Sequence, residues 1–331
     1  MLNLVPRYSL ERRHVKMRRI VSTLLFGLTL SIWHIPHSTS ADEIVFLCLL
    51  RADAVGGESA ICTVNPNGGE PRILTKKPKG AFKKWPTLSP DRTKIFFVTH
   101  GENNLYLMDA DGGNVTLLKE DYRGERPAWS PDGKQIAYGG TGPWIAIFDV
   151  HTLKEKLMFV PVDQAYDIAW SPDGRQLAFV NWNRDQQTGR DIYAINVDGT
   201  DLQQLTDHPG HDRWPAWAPN GRQIAFYSTR NENSSGISLI DIEGNNLREL
   251  TDGGEIYPSW SPDGKQMAFW VWDGNAHKAH IGVMDAGGHH LKLIAEGRYP
   301  SWQSTFPRLA VHPIDRLTLT WGQIKSGNGF K

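Results

Sequence analysis

Two cysteines, Cys48 and Cys62, are all that the 331-residue chain holds. That is too few for a disulfide-built scaffold or a thiolate metal cluster. Net charge is also lacking, since 36 Lys and Arg balance 36 Asp and Glu. No clustered basic face is visible, so nucleic acid is not an expected partner. The balance hides an uneven start: six of the basic residues and one acid lie within 1–41, leaving a net of −5 beyond it. Only one long apolar stretch occurs, Ile20 to Ile35, behind Arg12, Arg13, Lys16, Arg18 and Arg19 and ahead of Thr39, Ser40 and Ala41. This order is that of a secretory signal peptide over 1–41, with Met17 as an internal alternative start. Ser22, Ser31 and His34 interrupt the stretch, which is short for a membrane span. The expectation is therefore cleavage, no stable span afterwards, and a periplasmic or extracellular address. A Gly-x-Ser-x-Gly elbow is missing, which removes a serine-hydrolase reading. The acidic turn at Asp109 fails the calcium-loop pattern at Gly113 and Asn114.

What the chain has in abundance is one phrase. It reads WSPDGKQIAY at 129–138, WSPDGRQLAF at 170–179, WAPNGRQIAF at 217–226 and WSPDGKQMAF at 260–269, with a degraded LSPDRTKIFF at 88–97 and a final YPSW ending at Trp302. Successive markers lie 41, 41, 47, 43 and 42 residues apart, a period that belongs to four-stranded blades of a β-propeller. In each copy a short strand A ends at the marker and Ser-Pro-Asp-Gly makes a tight turn. An apolar strand B follows, and Asp-Gly or Gly-Gly joins C to D. Five complete units start near 84, 125, 166, 213 and 256. A lone strand A at 299–302 remains, with three strands lacking an A at Ile44–Leu50, Ile61–Val64 and Arg72–Thr75. The expected fold is all-β: six four-stranded antiparallel blades over 42–312, closed by joining the C-terminal strand A to the N-terminal B, C and D. Residues 313–331 form a tail or clasp. Cys48 and Cys62 fall on adjacent strands of the closing blade; in an exported chain they can bridge, the alternative being two small buried side chains that never meet.

The phrase with its downstream Asp-Gly turn resembles the WD-like repeats of the TolB-type six-bladed propeller, over about residues 43–312. TolB proteins carry an additional α/β domain ahead of the propeller, for which this chain leaves no room. The resemblance implies the fold, an exported location and a habit of binding other proteins.

Strand alternation puts the A–B and C–D turns on one face and the B–C and D–A loops on the other. The first is uniform; the second varies, at 181–190, 206–214, 228–236 and 271–279, and variable loops on a rigid scaffold carry binding. Candidate partner-binding residues there are Trp182, Arg184, Arg213, Trp214, Trp272 and His277, since exposed Trp and Arg dominate protein hot spots. Lys84, Arg126, Asp167, Tyr257 and Arg298, at the starts of the A strands, are expected to line the channel. The marker tryptophans are read as packing between blades. No catalytic set and no cofactor is expected. His208 and His211 are weak metal candidates, because two histidines in a loop lack the three converging ligands a catalytic metal wants. The expected function is a non-enzymatic, monomeric scaffold for an envelope or extracellular protein or peptide. The alternative is a glycan-binding or polysaccharide-lyase-type propeller.

Overall fold

The computed structural model describes residues 43–49, 59–75, 83–99, 103–182, 189–231, 234–274 and 278–302. The chain divides into Met1–Ile35 and Pro36–Lys331, and every described residue lies in the second unit. The signal-peptide reading of 1–41 and the clasp at 313–331 thus fall outside the described residues.

Within that unit the described strands form six four-stranded antiparallel sheets. Blade 1 takes strand A from Arg298–Ser301 and strands B, C and D from Ile44–Leu49, Ser59–Val64 and Arg72–Ile73. Val45 pairs with Ser301 and Leu47 with Arg298, so the two ends of the propeller meet in one sheet, as the leftover strands require. Blades 2 to 6 follow in chain order, their A strands being Lys83–Leu88, Ala128–Trp129, Tyr166–Trp170, Asp212–Trp217 and Ile256–Trp260.

Turn chemistry explains the uniform face. In blade 3 Ser130 Oγ donates to Asp132 at 2.6 Å and accepts from the Gln135 N–H at 2.9 Å. Gly133 takes φ 71° and donates to the Ser130 carbonyl. Ser171–Asp173 and Ser261–Asp263 repeat the first of these bonds. In the degraded copy Arg92 occupies the left-handed position at φ 61°, and its guanidinium donates to the Glu43 carbonyl at 2.7 Å, across the seam to blade 1.

No sheet buries its faces alone. The apolar clusters each draw on two neighbouring blades, for example Phe179 and Trp170 of blade 4 with Ile145 and Met158 of blade 3. Likewise Phe46 and Trp302 of blade 1 pack with Ile281 and Val283 of blade 6. The marker tryptophans are 3–7% exposed. Three of them donate an indole N–H to a strand A carbonyl of the preceding blade: Trp129 to Thr87, Trp170 to Ala128, and Trp260 to Ala216, at 3.1–3.2 Å.

Cys48 and Cys62 are joined as a disulfide between strands B and C of blade 1, with Cα atoms 5.8 Å apart. Reduction is expected to lower stability by about 3 kcal/mol, from the loop-closure entropy of a crosslink across 14 residues. Urea unfolding with and without reductant measures it. Trp302→Ala, which empties the seam, should cost about 3–5 kcal/mol by the same assay.

Candidate functional site

Five of the six described A strands share one irregularity at their entry. Lys84 pairs with Val98 but Thr87 with Phe96, and Arg213 with Tyr227 but Ala216 with Ala225. Blades 4, 6 and 1 show the same offset. Three steps on strand A oppose two on strand B, which is a β-bulge with one extra residue. At the bulge Trp85, Asp167, Trp214, Tyr257 and Tyr299 have φ between 49° and 57°. Left-handed backbone costs a non-glycine residue about 1–2 kcal/mol, and such strain collects at functional sites. Pro86, Pro215, Pro258 and Pro300 follow four of them. A missing N–H is tolerated there because the ladder is already interrupted.

The bulges bring side chains of different blades together. Trp214 stacks on Tyr257 at 4.1 Å, Tyr257 meets Tyr299 at 5.0 Å, and Tyr299 meets Trp85 at 6.4 Å, an arc through blades 5, 6, 1 and 2. Trp270 and Tyr227, within the B strands of blades 6 and 5, extend it. Cations lie over the rings: Arg213 4.6 Å from Trp214, Arg298 5.6 Å from Trp270 and 5.5 Å from Trp272, and Lys84 5.4 Å from Trp85. Arg126, from blade 3, lies 5.5 Å from the Tyr257 ring of the opposite blade 6, so it crosses the axis. Beneath is a cavity of about 90 Å³ bordered by Arg126 and by Trp129, Trp170, Trp217, Trp260 and Trp302.

Asp167 is the acid built into this mouth. Its carboxylate is 3% exposed and 3.5 Å from Arg213. Burial pushes its pKa up to about 7, aided by Glu125 and opposed by Arg213 and Arg126. Arg126, surrounded by protein, is held below its usual value by the same desolvation.

The channel-lining residues expected from sequence occupy two registers. Lys84, Arg213 and Arg298 precede the bulge, whereas Asp167 and Tyr257 are in it and Arg126 stands at its equivalent in blade 3. The extra residue accounts for the mixture. Trp182 is half-buried with Arg190 over its ring at 5.2 Å, and Trp272 is 47% exposed. Arg184 and His277 lie outside the described residues. The segments read as loops at 228–236 and 271–279 are largely strand, through Asn231 and from Ser234, and through Asp273 and from Lys278. His208 Nδ1 accepts from the Gly210 N–H at 2.9 Å, and the His211 N–H donates to Thr229 Oγ1. Burial foremost, then Arg190 and Arg213, hold the His211 imidazole below its ordinary pKa. Among the described residues no three His, Cys, Asp or Glu side chains converge as metal ligands. Sequence reasoning missed Tyr227 and Trp270. Their signal was positional: Tyr227 pairs with Arg213, and Trp270 with Ile256, at the strand A entry.

A raised carboxyl pKa means that the folded protein holds a proton on Asp167, between about pH 4 and 7, that the unfolded chain releases. Stability from this group is therefore lost as pH rises through 7. The stability of Asp167→Asn relative to the unsubstituted protein is expected to improve as pH rises from about 4 to 7 and to level off above that in chemical denaturation. A constant difference would contradict the assignment.

Comparison with known proteins agrees with this architecture. TolB from Acinetobacter baumannii superposes with a TM-score of 0.67 at 21% identity, covering 80% of this chain and 67% of that one. A putative TolB from Agrobacterium tumefaciens gives 0.62 at 20% identity, covering 80% and 93%. A curated relative, the uncharacterized protein Atu1656 of Agrobacterium fabrum, is 32% identical over 97 residues, 25% of this chain; the match spans about a third (32%) of that relative's length. Among the described residues no helix is long and apolar enough to cross a membrane. The TolB beta propeller domain matches residues 92–308, more than half of the sequence, and the chain belongs to that family.

Proposed function

We propose that this protein is an exported, non-enzymatic propeller that binds a protein or peptide partner of the envelope or exterior, as a monomer, through the face carrying the strand A bulges. The observation that supports it is the concentration of Trp, Tyr and Arg at one mouth of a rigid ring, with Trp272 left 47% exposed beside Arg298. Trp, Tyr and Arg are the residues that supply most binding energy in protein interfaces. The opposite face offers repeated Ser-Pro-Asp-Gly turns, which the fold itself requires. The address rests on the basic-then-apolar leader over 1–41.

Affinity capture from the native envelope tests the reading. The unsubstituted protein is expected to retain a specific protein, and the double variant Arg213→Ala/Trp272→Ala to lose it, with a loss of about 2 kcal/mol or more for a hot-spot pair. Equal retention by the double variant would move the binding face elsewhere.

A further inference from the structure

The arc has a chemical bias beyond being aromatic. Several buried hydrogen-bond donors there stand without acceptors. The indole N–H groups of Trp85, Trp214 and Trp270, and the Nε–H groups of Arg213 and Arg298, have no acceptor among the described residues. Buried donors without partners are uncommon and call for an explanation. Lys84, Arg126, Arg213 and Arg298 bring four positive charges to the region, whereas the acids acting on it are Asp167, already paired with Arg213, and Glu125. This cationic mouth belongs to a chain whose net charge beyond residue 41 is −5, so the positive charge is local. A low-dielectric concavity focuses such a field on anions.

We propose that the mouth is a receptor for the side-chain carboxylates of an acidic peptide segment, with Arg126, Arg213 and Arg298 as its charged donors. The inference rests on the protein-binding reading above and names the chemistry of the partner. Guanidinium groups suit carboxylates because their planar forks donate two parallel bonds. The three arginines come from blades 3, 5 and 1 and are separated by ring-to-ring contacts, an arrangement for several carboxylates along one strand of peptide. An acidic sugar fits less well, because stacking a sugar needs an open aromatic face. Arg213 and Tyr257 occupy Trp214, Arg298 lies over Trp270 and Trp272, Arg190 over Trp182 and Lys84 over Trp85.

The experiment is a titration of the full chain at low salt with hexaglutamate, hexaglutamine and trigalacturonate, followed by tryptophan fluorescence and calorimetry. Hexaglutamate is expected to bind, and added salt to weaken it. Arg126→Met/Arg298→Met should weaken it about tenfold or more, and Arg298→Glu should abolish it, with urea unfolding of each variant checking that the ring stays closed. Equal binding of hexaglutamine, no binding of hexaglutamate, or indifference to all three substitutions would overturn the proposal. Binding of trigalacturonate alone would overturn the peptide occupant. Failure here is distinguishable from failure of the function. A captured envelope protein lost by Arg213→Ala/Trp272→Ala, with hexaglutamate inert, sinks only the carboxylate chemistry. Hexaglutamate binding, with the captured protein retained by that variant, sinks the assigned docking face.

Discussion

The pairing of Arg298–Ser301 with Ile44–Leu49 is the contact on which the rest of the molecule depends. Each sheet covers its apolar faces only against its neighbours, so a ring with one open seam exposes two cores at once. The seam is correspondingly tied. Ser301 Oγ accepts from the Leu88 N–H of blade 2, and Ser259 Oγ of blade 6 accepts from the Trp302 N–H. Arg92 reaches back to Glu43, and the Cys48–Cys62 bond holds strands B and C of the same blade. Without these ties the last strand would have four residues with which to close the structure.

Closure also fixes where variation is possible. The Ser-Pro-Asp-Gly face cannot vary much, because Ser and Asp side chains complete the backbone bonding of each A–B turn. At the opposite face the extra residue of each bulge takes a side chain out of the ladder, and the bulge residues of neighbouring blades then meet. Blade 3 departs from this pattern: Arg126 is absent from the left-handed set, and its side chain crosses the axis instead.

The fold was legible because its determinants are periodic. Trp129, Trp170, Trp217, Trp260 and Trp302 recur at one phase, and the strands lacking a partner at each end could be counted. Turn chemistry was legible for the same reason, down to Arg92 standing where Gly133 stands in a better copy. The mouth was less so. A bulge leaves no mark in an alternating pattern, so the sequence alone does not separate the registers of Arg213 and Tyr257, which occupy successive positions. Polar residues such as Asn231 made hairpin extensions look like loops. The stacking of Trp214 on Tyr257, and the reach of Arg126 to the opposite blade, depend on the ring radius, which no local spacing encodes. Asp167 is legible as a channel residue, but its raised pKa depends on burial and on Arg213, Glu125 and Arg126 of other blades, which the sequence around it does not encode.

Arg298 and Tyr299 belong to the closing strand and to the aromatic mouth at once. Occupancy of the mouth and integrity of the circle are therefore thermodynamically linked: whatever holds these two side chains adds RT ln(1 + [L]/Kd) to the free energy of keeping the circle intact. The aromatic arc is not complete until the last blade strand has been made and docked. A chain stalled before Arg298 would lack two side chains of the mouth, Arg298 and Tyr299, together with the strand that closes the circle. Under the proposed function, binding at the mouth would thus report on completed assembly, because Arg298 and Tyr299 serve both.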